Sequence, residues 1–130
     1  MSVRVDLAQA EKVWENSLSI IASWSFGSAQ NGVVEQGSDL DIAVLFSTPP
    51  DLEQRAELRA DLQDALGIDA IDILNLNSAG SISAMEAVSG KALFCRNYSR
   101  RAEFVSLLAR QYEDDMAFLT KALQESVSYN

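Results

Sequence analysis

The chain reads as an α/β fold: a small mixed sheet of about four strands packed by helices and followed by one long C-terminal helix. Three observations predict it. Short apolar runs rich in β-branched and aromatic residues recur at 20–26, 39–46, 68–74 and 91–96. Stretches with apolar residues at helical spacing lie between them. From Ser99 to Val127, the residues Phe104, Leu107, Leu108, Tyr112, Met116, Leu119 and Leu123 return every three or four positions, the stripe of a single long helix.

Each element follows in turn. Leu7, Ala10, Trp14, Ser17 and Leu18 share one face of an amphipathic helix over residues 5 to 18. The first strand covers 20–26, and Trp24 in it reads as core, although a tryptophan there can also stack on a base. Residues 27 to 38 form a turn and spacer, with Gly32 and Gly37 as breakers. The second strand runs from Asp39 to Phe46. Thr48-Pro49-Pro50-Asp51 stops it, and Asp51 or Thr48 caps a helix that ends before Gly67. Ile68 to Leu74 is the third strand. Ser78 caps a helix to about Ser89, with Ile82, Met85 and Val88 inward and Gly90 as terminator. Lys91 to Arg96 is the fourth strand. The stripe on the last helix reads mainly as core, but a helix this long can outrun a small sheet, so its end is a candidate docking face.

One stretch carries the chemistry: Ser25-Phe26-Gly27-Ser28, ten residues, then Asp39-Leu40-Asp41 and the apolar run Ile42 to Phe46. Alternation along a strand puts Asp39 and Asp41 on one face and Leu40 on the other. Two carboxylates side by side repel unless a cation lies between them, and oxygen-only ligands favour Mg²⁺ over zinc. Gly27 lets backbone approach a ligand, and a Cβ there would crowd bound phosphates. If the chain turns at Gly27-Ser28 into a short helical turn, the free N–H groups cradle an anion. An anion cradle beside a Mg²⁺ site points to a nucleoside triphosphate.

Composition narrows the classes. Ten basic against nineteen acidic residues leave a formal charge of −9, which argues against direct nucleic-acid binding and suits a basic protein partner. The lone Cys95 excludes an internal disulfide and fits a cytoplasmic protein; in its apolar run it reads as a buried, inert thiol. There is no histidine, so acid–base chemistry falls to carboxylates. No apolar run reaches membrane-spanning length, the N-terminus has no signal-peptide pattern, and residues 1–130 read as a single domain.

The Gly27-Ser28 and Ser38-Asp39-Leu40-Asp41 pair resembles the nucleotidyltransferase superfamily related to DNA polymerase beta, and in particular its small bacterial, minimal nucleotidyltransferase or MntA-like, branch. The likeness covers nearly the whole chain. It implies the nucleotidyltransferase fold, ATP as substrate, and two Mg²⁺ ions held by Asp39, Asp41 and a third carboxylate, with Gly27 and Ser28 on the triphosphate. The third carboxylate should come from the strand after Asp39-Leu40-Asp41. Asp72 is the choice, because Asp72 to Asn77 looks like that strand's usual ending, with Asp69 as the alternative. Asp72 would also serve as base.

The resemblance further implies an antitoxin that moves AMP from ATP to a tyrosine hydroxyl of a HEPN-domain (HepT-like) ribonuclease toxin, in a hetero-oligomer. The alternatives are transfer to a small-molecule hydroxyl, or a non-enzymatic antitoxin acting by contact. One departure stands out. Relatives commonly follow Gly-Ser with arginine, where this chain has Ala29; Lys91, Arg96 or a partner's side chain would have to replace that cation.

Overall fold

The computed structural model describes residues 1–128. Its centre is a four-stranded mixed sheet in the order β5-β4-β2-β6, formed by β2 (Ile20–Phe26), β4 (Leu40–Phe46), β5 (Ile71–Asn75) and β6 (Lys91–Cys95). β2 runs antiparallel to both β4 and β6, and β4 runs parallel to β5. A parallel neighbour cannot be reached by a tight turn. The 15-residue helix α2 (Leu52–Leu66) supplies the crossover.

Local chemistry sets α2's limits. The Asp51 carboxylate accepts from the Gln54 backbone N–H at 2.7 Å, and the Gln54 side chain accepts from the Asp51 N–H at 2.9 Å. This reciprocal box satisfies two otherwise orphaned donors. Of the two caps considered, Asp51 is the one used, and Gly67 ends the helix as expected. Leu58, Leu62 and Leu66, four apart, are the buried edge.

Two cores sandwich the sheet. Leu40, Ile42, Val44 and Phe46 of β4 pack with Trp14 and with the leucines of α2. On the opposite face Ala43 and Leu45 pack with Trp24, Leu76, Ala84, Ala87 and Leu108. That second face is covered by α3 (Ser81–Val88) and the near half of α4 (Tyr98–Ser128). Trp24 is therefore core, and Cys95 is half-buried beside it. Asn77 clamps the end of β4, accepting from the Phe46 N–H at 2.8 Å and donating to the Phe46 carbonyl at 2.9 Å.

The structure departs from the sequence reading in several places. The helix expected over residues 5–18 is a 3₁₀ turn, Leu7–Ala10, followed by a short α1, Glu11–Asn16. The spacer is not plain loop. Its residues Val33–Glu35 form β3, which pairs with β1 (Ser2–Arg4) in a separate two-stranded ribbon. Three-residue strands carry too little alternation to be read locally, and their pairing is long-range. The third strand begins at Ile71, not Ile68, so Asp69 lies before it. Gly80, not Ser78, precedes α3, and Ala84 and Ala87 are its buried residues while Ile82 is exposed. Among the described residues, no helix is long and apolar enough to cross a membrane.

Candidate active site

The site forms where β2 ends and β4 and β5 begin. The antiparallel register sets Phe26 opposite Asp41, and the parallel register sets Asp41 opposite Asp72. In-register residues on neighbouring strands point to the same face. Asp41 thus has Asp72 beside it on the next strand and Asp39 two residues back on its own. Leu40, between them, is fully buried on the other face. Asp39 and Asp72 are exposed and Asp41 is half-buried.

The electrostatics record this crowding. Burial pushes the Asp41 carboxyl above its ordinary range, and the charges of Asp72, Asp39 and Glu86 push it further the same way. Glu86, on α3, is a fourth carboxylate in this field that sequence reasoning missed. Its helix position became meaningful only once α3 was packed over that face of the sheet. Asp69 stays on the preceding loop, where its carbonyl accepts from the Gln63 side chain and the Ile71 N–H.

After Phe26 the chain makes the expected short helical turn, a 3₁₀ turn at Gly27–Ala29. Gly27 sits at φ +74°, in the left-handed region. A Cβ there would lie 2.6 Å from Asp41 Oδ2. Within the protein itself, the first atom a side chain would meet is therefore an Asp41 carboxylate oxygen. Gly27→Ala should destabilise the protein by about 1–2 kcal/mol through the left-handed backbone alone, and should also push Asp41 aside. Thermal melting and ATP titration check both effects; an unaltered melt with unaltered ATP affinity would contradict them.

Ser25 holds the turn. Its buried hydroxyl donates to the Gln30 carbonyl at 2.6 Å, and the Gln30 N–H returns to the Gly27 carbonyl at 3.3 Å. Sequence reasoning gave Ser25 no role; a hydroxyl at the inward end of an apolar strand, two residues before Gly-Ser, was the available signal. Ser28 is exposed. Ala29 is 1% exposed and packs into the first core. A long cation at that position could not keep this packing.

Of the two lysine and arginine substitutes considered, Arg96 is occupied. Its guanidinium and Nε donate to the carbonyls of Trp14, Glu15 and Ile20, and it stacks over the Phe94 ring at 5.1 Å. These partners lie at the far end of β2. Lys91 lies at the near end: its register partner is Ser25, and its side chain is exposed. Gly90 just before it packs on the Ser25 carbonyl and on Phe26 with no room for a Cβ, which holds this segment against the turn.

A cleft of about 720 Å³, lined by Lys12, Gln54, Glu57 and Asp61, opens at the opposite end of the sheet and includes neither the Gly27–Ala29 turn nor Asp39, Asp41 or Asp72. Among the described residues, no three acidic or sulfur ligands already converge as a formed metal cage. The donor set nevertheless fits a hard cation. It is all carboxylate oxygen; burial first, and the neighbouring charges of Asp72, Asp39 and Glu86 after it, raise the proton affinity of Asp41, and a divalent ion would offset the charge repulsion.

Known proteins bear on this geometry. The family model described as polymerase beta, nucleotidyltransferase, matches residues 8–99. The protein adenylyltransferase MntA of Shewanella oneidensis is 39% identical over 70 residues, covering 53% of this chain and 50% of that protein. The chain thus spans about half the length of the curated relative it matches. A crystal structure of a toxin–antitoxin with AMP-PNP superposes with a TM-score of 0.75 at 24% identity, over 94% of this chain and 98% of that one. A tri-AMPylated Shewanella oneidensis HEPN toxin in complex with its MNT antitoxin gives a chain with a TM-score of 0.69 at 24% identity, over 93% and 97%. At such identities the superpositions speak for the fold. The family match takes in every strand of the central sheet and both halves of the site, and by it the chain belongs to the polymerase beta nucleotidyltransferase family.

Proposed function

We propose that this protein is an antitoxin-type adenylyltransferase that moves AMP from ATP to a tyrosine hydroxyl of a HEPN-family ribonuclease toxin and so silences it. The observation that carries the reading is the Asp39–Asp41–Asp72 group set against the Gly27–Ala29 turn. The matched relative is named an adenylyltransferase, and one of the superposed complexes holds an AMPylated HEPN toxin, which supports the choice of nucleotide and acceptor. The reading takes the chain as one nucleotidyltransferase domain working in the cytoplasm, without direct contact to nucleic acid or membrane.

In this reading the N–H groups at Gly27 and Ser28 hold the triphosphate tail. Asp39, Asp41 and Asp72 would hold Mg²⁺, one ion or two, which when bound would supply charge stabilisation for the transfer. The acceptor oxygen forms a bond to the α-phosphorus, the bond to pyrophosphate breaks, and the hydroxyl proton passes to a carboxylate, a role this reading gives to Asp72. An AMP group on the toxin adds negative charge where RNA phosphate must bind.

Lys91, exposed beside the turn through its register partner Ser25, is the side chain on this chain that would have to swing round to replace the missing cation. Its compact charge at the end of a flexible stem suits a phosphate at an open site. Lys91→Ala should weaken ATP binding about 5- to 10-fold, the scale of one exposed charge-assisted contact. Calorimetric titration with AMP-PNP would read this, and unchanged affinity would exclude Lys91.

The test of the function is incubation with ATP, Mg²⁺ and the HEPN-family protein, followed by intact mass. The partner should gain whole AMP units. A partner that stays unmodified yet is still neutralised by the Asp39→Asn, Asp41→Asn double variant would replace transfer with neutralisation by contact.

A further inference from the structure

The second half of α4 carries apolar side chains that, among the described residues, become increasingly exposed toward its end. α4 is 31 residues long, or about 46 Å at the rise of an α-helix. Its first half is anchored: Phe104, Val105 and Leu108 pack into the second core. Contact with α3 continues to Asp115, which bonds Ser81, and the stripe runs on beyond it. Met116, Leu119, Leu123 and Val127 continue at spacings of three and four, and Leu123 and Val127 are 67% and 71% exposed. Two shallow clefts mark this surface. One of about 360 Å³ lies between Ile82 of α3 and Phe118 and Leu119, and one of about 420 Å³ runs along Thr120, Leu123 and Val127.

An apolar stripe of this extent is uncommon on a surface that stays in water. A helix that outruns its core by about four turns also lacks the tertiary packing that normally holds helices. The base of the surface is fixed, since Asp115 accepts from Ser81 at 2.5 Å and from Gln111 at 2.9 Å. Those hydrogen bonds hold the Asp115 carboxyl below its ordinary range, so it is charged.

We propose that the distal half of α4 is the docking surface for the acceptor protein, and that its occupant is an amphipathic helix with a basic flank. Spacing and charge select that occupant. A stripe read at intervals of three and four is met by the ridge of another helix. The charged residues flanking the stripe are Glu113 on one side and Asp115 on the other, both acidic and both beside its base at Met116 and Leu119, while Lys121 and Glu125 lie on the opposite face of the helix. A second copy of this chain would bring together two such rims and two formal charges of −9. A basic helix meets no such repulsion.

The inference rests on the protein-acceptor reading above, and one experiment separates the two. The full chain and a Leu123→Glu, Val127→Glu variant are each titrated with the HEPN-family protein and with AMP-PNP, at low and at high salt. The substitutions keep helix propensity and alter a surface cleft lined only by α4 residues, so AMP-PNP affinity should not change. Affinity for the HEPN-family protein should fall about 100-fold, as expected when interface anchors are replaced by charge. Wild-type affinity should also fall as salt rises. A variant that binds the HEPN-family protein as tightly as wild type overturns the proposal, as does a salt-independent complex. So does a dimer of the chain alone that the substitutions dissolve. A tight complex lost in the variant, without AMP transfer by wild type, would keep the docking surface and remove the transferase reading.

Discussion

Asp41→Asn is expected to lower AMP transfer on the order of 10³-fold while raising the melting temperature of the metal-free protein. The two effects share a cause. Asp41 is half-buried with Asp72 opposite, Asp39 two residues back and Glu86 on the overlying helix, and its carboxyl holds a proton above its ordinary range. In the unfolded chain Asp72 and Glu86 move away and the burial is lost, while Asp39 stays near in sequence. Just above the ordinary aspartate range the folded state therefore binds more protons than the unfolded state, and stability falls as pH rises through that window.

The neutral amide should abolish this slope. At pH 7 it should add a few tenths to about 1 kcal/mol, since solvent screens a site this open, or a few degrees of melting temperature. Mg²⁺ should raise the melting temperature of wild type and leave Asp41→Asn nearly unmoved, by linkage to the folded state. Melting curves from pH 4 to 8, with and without Mg²⁺, alongside the transfer assay, would check all of this. Substantial transfer by the variant would remove Asp41 from the metal site.

Asp72→Asn should lower turnover by about 100-fold with little change in ATP affinity, whereas Asp69→Asn should leave both within about twofold. The register decides between them. Asp72 is the lateral neighbour of Asp41 on β5, and Asp69 precedes the strand on an exposed loop. Asp72 is itself exposed, so its replacement should disturb the fold little and the activity change can be read directly. Single-turnover transfer at saturating ATP separates chemistry from binding. Loss of turnover in Asp69→Asn with retention in Asp72→Asn would reverse the assignment.

Much of this molecule is visible in its local chemistry. Strand alternation at 39–46 places Asp39 and Asp41 together, and the structure keeps Leu40 buried behind them. Gly27-Ser28 after an apolar run predicts a turn, and the turn forms. Asp51, Gln54 and Gly67 announce both ends of α2. These features depend on side-chain period, cap chemistry and backbone sterics, all of which act within a few residues.

What the tertiary structure decided depends on pairing between distant segments. Only strand register brings Asp72 beside Asp41 and leaves Asp69 out. Only packing of α3 over the sheet carries Glu86 into the same field. Lys91 and Arg96 lie on one strand, yet β6 aligns Lys91 with Ser25 beside the turn and ties Arg96 to carbonyls at the far end. The β1–β3 ribbon was not legible, because three-residue strands exist only through their partner. The stripe on α4 is continuous in sequence, yet it is core near Leu108 and open surface near Leu123. Periodicity tells which face of a helix is apolar; where the sheet beneath it ends tells what that face is left to bind.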